Sequence, residues 1–135
     1  MRPRMRKGLD MQMIDWDRLN ALIDDVGADT LGEVLAVFID EMDAEVRQLP
    51  AINDATARAN ALHTLKGTAA NLGFVALADL CTDGEDRLRT DDQPPEFPAL
   101  AHHVRTTYAA SRTELLHEIR HRLGVSVQSL TETMD

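Results

Sequence analysis

A chain of 135 residues, 44% hydrophobic and 27% charged, has the material for one packed domain, too little for two ordinary ones, and too many apolar residues for wholesale disorder. Aromatics at 4% are a thin supply for a β-sandwich or barrel core. Fourteen Lys and Arg against 23 Asp and Glu give a net charge of −9, a poor surface for holding nucleic acid.

Residues 1–13 hold the basic cluster Arg2, Arg4, Arg6 and Lys7 without a helical stripe and read as a flexible basic extension. Asp15 suits the N-cap of a short helix striped by Trp16, Leu19, Leu22, Ile23 and Val26, which Gly27 stops. Asp29 or Thr30 opens a longer helix through Leu31, Val34, Leu35, Phe38, Met42, Val46 and Leu49, and Pro50 closes it. A third runs from Asn53 to Asn71 on Ala55, Ala59, Leu62, Leu65 and Ala69, with Gly73 at its stop. A fourth spans Phe74 to Thr90 through Leu77, Leu80, Cys81 and Leu88. Its interior Gly84 costs about 1 kcal/mol relative to alanine and marks a place for a kink. Residues 91–98, with three prolines, form the connection to a last helix striped by Phe97, Leu100, Val104, Tyr108, Ser111, Leu115 and Ile119. Residues 125–135 read as a loose tail, so the domain is expected over 14–124.

No stretch alternates long enough for a strand. The expected fold is all-α, an antiparallel four-helix bundle with a short extra N-terminal helix. No apolar stripe is left over, so a monomer is expected. The single cysteine, Cys81, excludes an internal disulfide and lies on an apolar stripe, as a core residue would. No apolar run approaches the roughly 18 residues of a membrane span. Gly8-Leu9-Asp10-Met11-Gln12 is not the apolar stretch of a secretory signal, and the cytoplasm is the expected setting.

His63 falls outside the core stripe of the third helix, with small residues above and below it at Ala59, Gly67 and Ala70 and with Lys66 one turn on. A neutral imidazole can attack phosphorus and hold the phosphoryl group as a phosphoramidate. Cleared neighbours admit a partner's active site, and an ammonium offsets the incoming charge. On spacing alone the same residues also describe a solvated histidine beside a solvated lysine.

The run His63-Thr64-Leu65-Lys66-Gly67-Thr68-Ala69-Ala70-Asn71-Leu72-Gly73 resembles the signature of histidine-containing phosphotransfer (Hpt) domains, the intermediates of bacterial multistep phosphorelays. The likeness extends through Asp15 to Met42 and through Leu77, Leu80, Cys81 and Glu85. It implies a carrier without kinase activity. His63 would accept a phosphoryl group from a receiver-domain aspartate and pass it to another receiver, in a response regulator or a hybrid sensor kinase. Magnesium would sit in the receiver, so no cofactor of the chain's own is implied. By the same resemblance Lys66 stands beside the phosphoryl group, Gly67 gives the partner room and Thr68 holds a hydroxyl position near the ring. Its other reading is a hydroxyl bonded back along its own helix. Two residues depart from the pattern. Gly84 stands where members commonly carry an apolar residue, and Glu85 where some carry an amide. A carboxylate there repels phosphate, so Glu85 is left outside the expected site.

A competing motif is His117-Glu118-Ile119-Arg120-His121, which matches H-E-x-x-H on a predicted helix and would make a small zinc metallohydrolase. Against it, Val127 stands where the longer form needs a third histidine, the two histidines face away from the stripe, and no strand is available to bind a peptide. His102 and His103 also face outward. A helical adaptor without phosphotransfer chemistry is the remaining alternative.

Overall fold

The computed structural model describes residues 13–90 and 96–123. The expected tail at 125–135, all but Met13 of the expected extension, and most of the connection at 91–98 lie outside the described residues. Asp15, in extended backbone, accepts from the Arg18 N–H at 3.2 Å and starts α1, Trp16–Val26. Gly27, at φ 82°, ends it and returns its N–H to the Ile23 carbonyl at 2.7 Å. Helix α2, Ala28–Gln48, buries Leu31, Leu35, Ile39, Met42 and Val46 at steps of three and four. Ile39 was not in the expected stripe, whereas Val34 and Phe38 are only half-buried, so the core face is centred slightly to one side of the expected one.

A 3₁₀ turn at Leu49–Ala51 takes in Pro50 and finishes α2. Helix α3, Ala55–Asn71, is capped by Asp54, whose Oδ2 accepts from the Ala57 N–H at 2.8 Å, and it buries Ala59, Leu62, Leu65 and Ala69. Helix α4, Val75–Thr90, runs uninterrupted through Gly84, which is buried. Helix α5, Phe97–Leu123, begins inside the expected connection. Pro98 stands in its first turn, where an N–H has no intrahelical acceptor to lose. The α5 stripe from Leu100 to Ile119 is buried as expected, with the Ser111 hydroxyl donating to the Thr107 carbonyl at 2.9 Å.

The four long helices form an all-α bundle in which α2 and α4 each pack against both α3 and α5. The Tyr108 hydroxyl donates to the Ile39 carbonyl at 3.3 Å across the α2–α5 seam. The segment leading into α1 is tied to the turn between α3 and α4. Ile14 pairs with Phe74 in one antiparallel bridge, the Asp15 N–H reaches the Gly73 carbonyl at 2.6 Å, and Arg18 Nε donates to the Asn71 carbonyl at 3.2 Å.

Gly73 carries two constraints at this tie. Its φ is 79°, and a Cβ there would stand 2.7 Å from the Asp15 carbonyl oxygen. Gly73→Ala is therefore expected to lower stability by about 2 kcal/mol, read as a lower urea midpoint. An unchanged midpoint would show that the turn can move away from α1.

Candidate functional site

His63 stands on the outer face of α3 with 62% of its side chain exposed. Its register opposite α4 follows from the short turn: residues equidistant from that turn face each other in an antiparallel pair. His63 and Glu85 are equally far from Phe74 along the chain. Buried Gly84 adds close approach, since a Cβ there would lie 3.0 Å from Leu62 Cδ1 and 3.1 Å from Leu100 Cδ2. A larger residue would hold α4 away from Leu62, the residue just before His63.

That approach brings the Glu85 carboxylate to the imidazole. Nδ1 of His63 lies 3.2 Å from both carboxylate oxygens. Only 14% of the Glu85 side chain is exposed, so the better-buried group sets the position of the freer one. Arg89, one turn along α4, donates from Nε to Glu85 Oε2 at 3.0 Å and from Nη2 to Asn60 Oδ1 at 2.9 Å. Lys66 Nζ lies 4.0 Å from Glu85 Oε1. Burial alone would push the Glu85 carboxyl up, but hydrogen bonds from Arg89 and His63, and the charges on both, outweigh it and hold the group below its ordinary range.

Of the residues the sequence singled out, His63 and Lys66 meet around this carboxylate. Gly67, one turn beyond His63, leaves open surface, since a Cβ there would meet no atom within 4 Å. The Thr68 hydroxyl instead donates to the Thr64 carbonyl at 3.4 Å. It is turned back along its own helix, and the ring's hydrogen bonds run to Glu85. Glu85, which charge alone sets outside the expected site, contacts His63, and through Arg89 it is linked to Asn60, two residues the sequence does not single out. The signal that could have found them is the i, i+4 pair Glu85–Arg89 together with the register counted from Gly73.

Cys81 is buried, and burial together with the charges of Glu45 and Glu85 pushes its thiol up to about 12, so it stays protonated. His102, His103, His117 and His121 are exposed. The rings of His117 and His121 stack with centroids 5.4 Å apart and planes 16° apart. Among the described residues no group of three or more His, Cys, Asp or Glu is placed to hold a metal ion, so the H-E-x-x-H pair finds no third ligand. No helix among the described residues is long and apolar enough to cross a membrane.

The face thus presents an exposed histidine on a bundle helix, with an open glycine position one turn on and a lysine near the carboxylate it contacts. The family model of the Hpt domain matches residues 33–124, and the chain belongs to that family. Hpt domains serve histidine phosphotransfer in phosphorelays and interact with the receiver domains of response regulators or kinases. Comparison with curated proteins and with solved structures found no match.

The two site glycines are expected to respond in opposite directions. Gly67→Ala adds a better helix former where there is room, so it should raise stability by up to about 1 kcal/mol. Gly84→Leu overpacks the contact with Leu62 and Leu100 and should lower it by about 1–3 kcal/mol. Denaturant titration of the two variants reads both, and equal effects of one sign would contradict the packing described.

Proposed function

We propose that this chain is a phosphoryl carrier in which His63 takes the group from one receiver-domain aspartate and delivers it to another. The observation that supports this most directly is the pairing of His63 Nδ1 with Glu85 on an open helical face, in a chain of the Hpt family. An ionised carboxylate can only accept a hydrogen bond, so in the neutral ring the proton sits on Nδ1 and the lone pair on Nε2. Nε2 is then the nucleophile. Its lone pair forms the N–P bond as the bond from phosphorus to the aspartyl oxygen breaks, and the electron pair leaves on the aspartate. Onward transfer reverses these events at a second receiver.

Lys66 supplies positive charge next to the transferred group, and Gly67 leaves the surface over which a receiver closes. Thr68 has no chemical part in this reading. Magnesium belongs to the receiver's acidic pocket, and the chain contributes no ligand to it. The partners are receiver domains of response regulators, of a hybrid sensor kinase, or of both, in the cytoplasm. The carrier acts as a monomer, a view supported by Val37 as the lone exposed large hydrophobic among the described residues.

Phosphorylated receiver domains from the source organism, incubated in turn with wild type and His63→Gln, test the reading. Rapid, acid-labile labelling of wild type alone is expected. Labelling of His63→Gln at the same rate would move the chemistry elsewhere. Failure of every receiver to label folded wild type would favour an adaptor. Lys66→Ala is expected to label about tenfold more slowly, equivalent to about 1.4 kcal/mol of transition-state stabilisation.

A further inference from the structure

We infer that His117 and His121, on the outer face of α5, form a two-histidine site for a divalent transition cation of the copper, nickel and zinc class. The site is independent of the carrier chemistry assigned to His63. The two residues are four apart on one helix, so their side chains rise from the same face with Cβ atoms about 5–6 Å apart. Their rings lie side by side, with centroids 5.4 Å apart and planes 16° apart. Both residues are exposed. Among the described residues neither ring makes a hydrogen bond or an ion pair, whereas the ring of His63 is engaged by Glu85. A cation arriving at the pair displaces only water.

Imidazole nitrogen suits this class of cation, whereas magnesium and calcium take oxygen ligands. Two Zn–N bonds of about 2.1 Å at a tetrahedral angle put the donor nitrogens roughly 3.3 Å apart. Rings stacked at 5.4 Å reach that separation by tilting towards each other about their own torsions, which exposed side chains do without disturbing the core. The helix supplies the rest, because it holds the second imidazole beside the first and the second bond forms at a high effective concentration. Glu114, exposed and about one turn before His117, adds negative charge to the same face. Arg120, exposed as well, lies about 100° round the helix from His121. His102 and His103 are also about 100° apart round α5, and two adjacent residues of a helix do not close on one ion.

Two protein nitrogens leave at least two positions of a tetrahedral ion to water or to a donor from another molecule, so the cation is held openly. A hydrolytic zinc is different, since it needs three protein ligands and a carboxylate base. Among the described residues the pair has no third ligand, and Glu118 between the two histidines is half-buried and engaged in an interaction of its own. Helices α3 and α5 stand at diagonal corners of the bundle, since α2 and α4 each pack against both. The outer face of α5 therefore looks away from that of α3, and a cation bound there leaves the His63 face open.

The test uses the full chain, stripped with a chelator and desalted, at about pH 7.5, because a ligating histidine must be neutral. Calorimetric titration with ZnCl2 and with NiCl2 is expected to show one cation per chain, and titration with MgCl2 none. Affinity should fall at least about tenfold in His117→Asn and in His121→Asn, where one bond replaces a chelate. It should stay at the wild-type value when His102 and His103 are both changed to Asn. Equal affinity in wild type and His117→Asn would overturn the inference, as would an equal loss in the His102 and His103 control. ZnCl2 should also raise the urea midpoint of wild type and leave that of His117→Asn in place, since the unfolded chain does not hold the two rings together. A rise of the same size in both would put the cation elsewhere. A third measurement needs no variant: substoichiometric CuCl2 should broaden the ring signals of His117 and His121 in the NMR spectrum before those of His63, His102 and His103. Uniform broadening of all five histidines would overturn the assignment.

Discussion

Gly84 lets α4 close on α3 until a Cβ would stand only 3.0 Å from Leu62, and the geometry of the site follows from that approach. The two helices share the most extensive helix–helix contact of the bundle and are joined by a short turn, so their register has little freedom. Gly73 makes the turn possible by adopting φ 79°, and the Asp15 N–H clasps it from outside. The segment leading into α1 is thus tied to the turn from which the register between His63 and Glu85 is counted. Packing of this density transmits position well.

Once register is set, the electrostatics of the face are local and differ from those of the whole chain. The protein carries a net charge of −9. Around the imidazole, however, one carboxylate meets Arg89 and Lys66 as well as the ring. The histidine is exposed, and the carboxylate that contacts it is half-buried and also bonded to Arg89.

Helices and site differed in how far they could be read from the sequence. Periodicity and punctuation placed all five helices, because Asp15, Gly27, Pro50 and Gly73 act through local backbone geometry. The errors were also local in kind. Pro98 looked like part of a connection yet sits in the first turn of α5, and Ile39 was missed where the stripe of α2 is broad. The relation among His63, Lys66 and Gly67 is readable as spacing because they share one helix. That of the partners from α4 is not, since their place depends on a register between helices. The charge of Glu85 taken alone argues against a place beside phosphate, whereas its contact with Arg89 is a matter of structure. Of the two readings the sequence left for Thr68, the geometry matches the hydroxyl bonded back to the Thr64 carbonyl of its own helix.

Weighing Glu85 together with Arg89 removes the objection to a carboxylate beside an incoming phosphoryl group. An isolated carboxylate repels that group as a monopole. The phosphoryl group on Nε2 would lie on the far side of the ring, roughly twice as far from the carboxylate as Nδ1 does, and Coulomb energy falls inversely with distance. Attraction to the imidazolium therefore exceeds repulsion of each phosphoryl charge before any compensation. With the Arg89 guanidinium at 3.0 Å, the pair is nearly neutral at the distance of the phosphoryl group. Its remaining field is that of a dipole, which fades faster still. At Nδ1, by contrast, the carboxylate oxygens lie at 3.2 Å and remain hydrogen-bond acceptors. The ion pair thus separates two effects that a lone carboxylate would couple, holding the ring at short range while presenting little negative field to the group the ring is proposed to carry.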